Sequence, residues 1–86
     1  MIQITPQLLK EPEKAEAALY QNFLEWDWDE RPGIWFDEIL YRYCSSNSRK
    51  SKTDQQILLA ILHGMEDKGV IKSMPETNRY AFKLVY

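Results

Sequence analysis

The sequence holds one cysteine, one histidine and three glycines among 86 residues, and each scarcity removes a class of chemistry. A lone Cys44 closes no internal disulfide and forms no cysteine zinc site, in keeping with a reducing compartment. At the end of an apolar-periodic segment it reads as a small buried group, with no base near it in sequence to make it a nucleophile. His63 lacks a second histidine or a cysteine at ligand spacing, so no metal ion is expected, and no motif calls for a cofactor. Three scattered glycines make no phosphate-cradling loop and there is no nucleophile elbow. Asp37 and Glu38, adjacent on a helix, diverge and form no acid–base pair. No enzyme is expected.

Long apolar runs are also missing. The longest, residues 57–62, is far too short to span a bilayer. The first residues, Met-Ile-Gln-Ile-Thr-Pro, lack the basic start and apolar stretch of a secretory signal, so the expectation is a cytoplasmic protein with no membrane partner. There is no internal repeat, low-complexity tract or glycine-serine linker, and residues 1–86 read as one domain.

What is present suits a small folded unit. Hydrophobic residues make up 44% and charged residues 28% of the chain, and three Trp, five Tyr and three Phe supply bulky core material. The net charge of −2 conceals an asymmetry. Residues 1–38 carry nine acids against three bases, a net −6, and residues 39–86 carry eight bases against four acids, a net +4. An acidic whole argues weakly against nucleic-acid binding, but such binding depends on the local field, and the second half is basic.

The apolar spacing sets out a succession of short elements. Thr5-Pro6 and Glu11-Pro12 open helices, since proline at the first helical position forfeits no hydrogen bond. From Pro12, the residues Ala15, Ala18, Leu19, Phe23 and Trp26 fall on one face of a first helix. Acids, Pro32 and Gly33 make residues 27–33 a loop. Phe36, Ile39, Leu40 and Tyr43 then mark a second helix over about residues 35–44, with Gly33, Ile34 and Trp35 as a short extended lead-in and Trp35 expected in the core. Residues 45–52 contain no apolar side chain and predict an exposed loop. A third helix follows, capped by Ser51 or Thr53, with Asp54 three places after Ser51. It buries Leu58, Ile61, Leu62 and Met65, with Gly69 as its left-handed stop. Residues 70–74 and 79–86 are two extended runs joined by a turn at 75–78, with Tyr80, Phe82 and Leu84 alternating as one buried face.

Three helices, a two-stranded antiparallel ribbon and a short third edge strand near residues 33–35 form an α+β order that resembles the winged-helix variant of the helix-turn-helix, over roughly residues 12–86. The stretch Leu58-Leu59-Ala60-Ile61-Leu62-His63-Gly64-Met65-Glu66-Asp67-Lys68-Gly69-Val70-Ile71 carries most of the likeness, and Arg79-Tyr80-Ala81-Phe82-Lys83-Leu84 is similar to the returning strand. One departure is the connection of about eight residues between the second and third helices, where a helix-turn-helix has three to four.

The resemblance implies that the third helix reads duplex DNA while the wing contacts phosphates. Opposite its core face, that helix presents Lys52, Thr53, Gln56, Leu59, Ala60 and His63. Gln offers a donor and acceptor to adenine, Thr and Lys reach bases or phosphates, and Ala60 permits close approach. Arg49 and Lys50 precede this face, and Lys72, Arg79 and Lys83 lie on the ribbon, supplying salt-dependent phosphate contacts. The role implied is a transcriptional or mobile-element accessory regulator, with the first helix available to pair two copies. The competing expectation is a protein-interaction module that never touches nucleic acid, using the acidic first half, Trp28 among its carboxylates and an outward Leu59. The ordinary alternatives are that the cations only keep the surface soluble and that Trp28 covers the end of a small core. An acidic mimic of DNA fits less well, because acids and bases are segregated.

Overall fold

The computed structural model describes residues 1–28, 30–31, 33–74 and 81–85. Two short helices, one at the expected Thr5-Pro6 entry and one inside the expected loop at 45–52, join the three longer ones. They are α1 (Pro6–Leu9), α2 (Pro12–Leu24), α3 (Phe36–Tyr43), α4 (Ser46–Lys50) and α5 (Lys52–Asp67), with strands β1 (Ile34–Trp35), β2 (Ile71–Ser73) and β3 (Ala81–Leu84). The sheet is antiparallel in the order β1-β3-β2. Helices followed by a β2-β3 hairpin, with a third edge strand, make an α+β arrangement consistent with the winged-helix type. The turn expected at 75–78, with Arg79 and Tyr80, lies outside the described residues.

Local chemistry sets most helix ends. Thr5 Oγ1 accepts from the Leu8 N–H at 3.1 Å, with Pro6 in the first turn of α1. Pro12 likewise opens α2, which buries Ala15, Ala18, Leu19, Asn22 and Phe23 and ends before Trp26. Ser51, not Thr53, caps α5, its Oγ accepting from the Asp54 N–H at 3.1 Å. At the other end Gly69 adopts φ +76°. There the Gly69 N–H bonds the Glu66 carbonyl (2.9 Å) and the Val70 N–H the Met65 carbonyl (3.0 Å). That paired pattern satisfies the last carbonyls of the helix and turns the chain into β2.

Residues before the resemblance are part of the core. Asn22, 1% exposed, grips the first residues: its Oδ1 accepts from the Ile2 N–H (2.7 Å) and its Nδ2 donates to the Ile2 carbonyl (2.8 Å). Ile4 then bridges Cys44, with the Ile4 N–H donating to the Tyr43 carbonyl (2.7 Å) and the Ser45 N–H to the Ile4 carbonyl (2.8 Å). These bonds seat Ile4 and Leu9 in one cluster with Phe23, Ile34, Ile39, Leu58, Leu62, Met65, Ile71 and Phe82.

Three expectations need correction. Residues 45–52 are not an exposed loop: α4 occupies Ser46–Lys50, capped by Ser45 Oγ, with Ser48 buried. An apolar count misses this because a serine is small enough to be buried without a large desolvation cost once its neighbours supply hydrogen bonds. Trp35 is not in the core but 40% exposed. It follows the buried Ile34, and strand alternation sends successive side chains to opposite faces. Finally, Ala81, on the face opposite Phe82 and Leu84 of the central strand β3, is buried as well as they are.

Candidate nucleic-acid interface

The solvent side of α5 is a polar stripe. Lys52, Thr53, Gln56, Ala60 and His63 are exposed, and Lys50 stands exposed just before it. Leu59, expected outward, is half-buried and packed against the core. It lies at the border of the buried face, where the helix rotates it toward neighbouring apolar side chains. The stripe is thereby left without a large apolar residue, with small Ala60 midway along it.

Its electrostatics change from one end to the other. Lys50 and Lys52 gather at the N-terminal end. Toward the C-terminal end, His63 Nδ1 lies 3.5 Å from Glu66 Oε1. Glu66 Oε2 accepts from the Ser73 hydroxyl at 2.6 Å and the Ser73 N–H at 3.0 Å. The serine hydroxyl first, then its N–H, with a smaller contribution from His63, holds the Glu66 carboxyl below the usual carboxylate range. This carboxylate ties the last residue of β2 to α5.

Arg49 behaves differently from its neighbours. Its guanidinium lies over the Tyr41 ring, 5.1 Å from the centroid, and Nη1 donates to the Tyr41 carbonyl at 3.4 Å. Its own carbonyl accepts from Gln55 Nε2 at 2.6 Å. Arg49 is thus a brace between α3 and α4. On the hairpin, Lys72 and Lys83 are exposed and are register partners. Arg79 lies outside the described residues. Among the described residues no carboxylate pairs with Lys50, Lys52, Lys72 or Lys83.

The tryptophans of the first half are engaged internally. Trp28 Nε1 donates to the Phe23 carbonyl at 2.6 Å, and its ring meets Phe23 edge-on at 6.3 Å and Trp26 at 6.4 Å. Trp28 therefore covers the end of the core, as an indole does when both its ring and its N–H find partners. Arg31 and Arg42 place guanidinium carbons 4.9 and 5.1 Å from the Trp26 ring centroid, and Arg31 pairs with Glu38 at 2.8 Å. Beside them an open groove of about 420 Å³ runs among Arg31, Trp35, Asp37, Glu38, Tyr41 and Arg42.

Cys44 is buried, and burial pushes its thiol up to about 11 despite the opposing charge of Arg49. Such a thiol is protonated at neutral pH and a poor nucleophile. Among the described residues, no group of three His, Cys, Asp or Glu is placed to hold a metal ion, and no helix is long and apolar enough to cross a membrane.

Sequence reasoning missed Asn22 as a structural clamp and the opposition of Lys72 to Lys83. Neither carried a local signal: the first depends on a partner twenty residues away, the second on strand register. No protein-family model matches the chain, and no curated protein or solved structure matches it.

Proposed function

We propose that this chain is a small cytoplasmic winged-helix protein that binds duplex DNA, with α5 in the major groove and hairpin lysines on the phosphates, as a regulator of transcription or of a mobile element. The observation that carries this reading is the exposed stripe Lys52, Thr53, Gln56, Ala60 and His63 on one long helix, with no large apolar side chain to interrupt it. Gln56 offers the donor and acceptor pair that matches adenine N6 and N7, and Ala60 lets the helix approach base edges. Lys50 and Lys52 contribute the sequence-independent attraction to phosphate. The protein-interaction alternative loses support, because its two residues, Trp28 and Leu59, are occupied in covering the core.

The test is anisotropy of a labelled mixed-sequence duplex at two salt concentrations. Affinity that falls steeply with salt and is weakened by Lys52→Ala with Gln56→Ala is expected. No binding at low salt, or binding indifferent to that pair, overturns the reading.

A further inference from the structure

The outer side of α2 carries apolar residues that the core does not use. At 100° per residue, Glu13, Ala17, Tyr20 and Leu24 fall within about 60° of one another, opposite Ala15, Ala18, Leu19, Asn22 and Phe23. The inner set is buried and the outer four are exposed. Tyr20 is 38% and Leu24 47% exposed. Steps of four, three and four residues are the spacing of a seam between two helices, at a place where a helix with a single partner carries polar side chains.

A hollow of about 260 Å³ opens beside this seam, lined by Glu13, Glu16, Ala17, Tyr20, Met65 and Val70. Its four α2 residues stand at i, i+3, i+4 and i+7, the frame that receives one side chain from a facing helix. Small Ala17 leaves the frame open, while Met65 and Val70 add apolar lining. The hollow lies below the usual range of clefts that enclose a small-molecule ligand.

The charges around the seam suit a copy of the same helix running the other way. On one flank Glu16 is offset by Lys68, whose Nζ donates to both carboxylate oxygens at 3.1 and 2.9 Å. On the other flank Lys14, Gln21 and Glu25 lie side by side. A two-fold axis through the middle of α2 sets Tyr20 of each copy over Ala17 of the other, large against small, and brings each Lys14 toward Glu25 of the other copy. A parallel copy would oppose Glu13 to Glu13 and Lys14 to Lys14.

We propose that α2 pairs antiparallel with α2 of a second copy of this chain, Tyr20 of each copy filling the hollow of the other and Leu24 closing the two ends of the seam. Such a contact is isologous, one surface meeting itself. Three apolar residues per copy make a small interface, so the association is weak and concentration-dependent. It leaves the exposed stripe of α5 untouched and so goes beyond the duplex reading.

Sedimentation velocity of the full chain without nucleic acid, from about 1 μM to about 1 mM, tests it. The sedimentation coefficient rises with concentration from monomer toward dimer. Tyr20→Ala weakens self-association about tenfold or more, with the thermal midpoint held because the side chain is exposed. Ala17→Tyr fills the hollow and also favours the monomer. The two substitutions together exchange the large and small positions, and because the axis pairs position 17 with position 20, the double variant recovers the dimer. Lys14→Glu weakens association by up to about fivefold at low salt, and adding Glu25→Lys restores it. A native chain that stays monomeric throughout overturns the proposal, whatever other protein docks on the seam. A dimer indifferent to Tyr20→Ala overturns it too, as does a folded double variant that stays monomeric. With no DNA present, a monomeric result leaves the α5 reading standing, and a dimer that binds no duplex overturns only that reading.

Discussion

The described cations of this protein divide by chemistry and by place, apart from Lys14 and Lys68, which pair with Glu11 and Glu16. The three described arginines are all spent inside the molecule: Arg31 and Arg42 lie over Trp26 and against Glu38, and Arg49 lies over Tyr41. Around the start of α5 and on the hairpin, Lys50, Lys52, Lys72 and Lys83 are exposed and meet no carboxylate among the described residues. A guanidinium is flat, weakly hydrated and able to stack and bridge at once, whereas an ammonium is a hydrated point charge that keeps its freedom. The difference teaches that the basic character of the second half is a poor guide to its binding face until arginines and lysines are counted separately. The aromatic-arginine region braces the fold, and the lysine region is the surface proposed for a partner.

The largest expected effect breaks the scaffold side. Phe23 is fully buried against Trp28 and Tyr43, so Phe23→Ala costs about 3–5 kcal/mol, read as a large drop in the urea midpoint. A loss below about 1 kcal/mol would show that the tryptophan cluster does not depend on it. Next comes the lysine side. Lys50→Ala with Lys52→Ala lowers duplex affinity on the order of tenfold and the salt slope by about 2, with the urea midpoint unchanged. Coupled loss of stability and affinity would erase the distinction between the two regions.

Arg42→Ala sharpens the contrast from the other direction. It removes a stacked guanidinium and costs about 0.5–1 kcal/mol of stability while leaving duplex affinity as it was. The smallest effect concerns Glu66, whose carboxyl ionises below its ordinary value of 4.5 in the folded chain. A carboxylate depressed in this way stabilises the fold above its unfolded value and loses that contribution as pH falls through its folded value. Glu66→Gln therefore flattens the decline in urea midpoint below pH 4.5 relative to the native chain. An unchanged decline would mean that the bond to Ser73 does not anchor the hairpin.

Much of the candidate interface was legible because it rests on local rules. Helical spacing separates Leu58, Ile61, Leu62 and Met65 from Lys52, Gln56 and His63 without reference to any other segment. Leu59 was harder, since a border residue turns inward or outward according to what lies beside it. The α4 turn was hidden because its stability comes from serine caps and from Arg49 stacked on Tyr41, not from apolar periodicity. The two lysines of the hairpin were each visible, but their opposition was not. A pairing shifted by two residues along β3 would keep both lysines on the same face and set different residues against them.

The sequence by itself determined the main helix faces, the Gly69 stop and the partition of charge between the halves, because each depends on residues a few positions apart or on composition. Only the tertiary structure decided that β3 is central, that Trp28 covers the core while Trp35 faces solvent, that Arg49 folds back, and that Lys72 meets Lys83. Those outcomes follow from competition between distant segments for a limited buried surface and from strand register, and neither is written in any short stretch of chain.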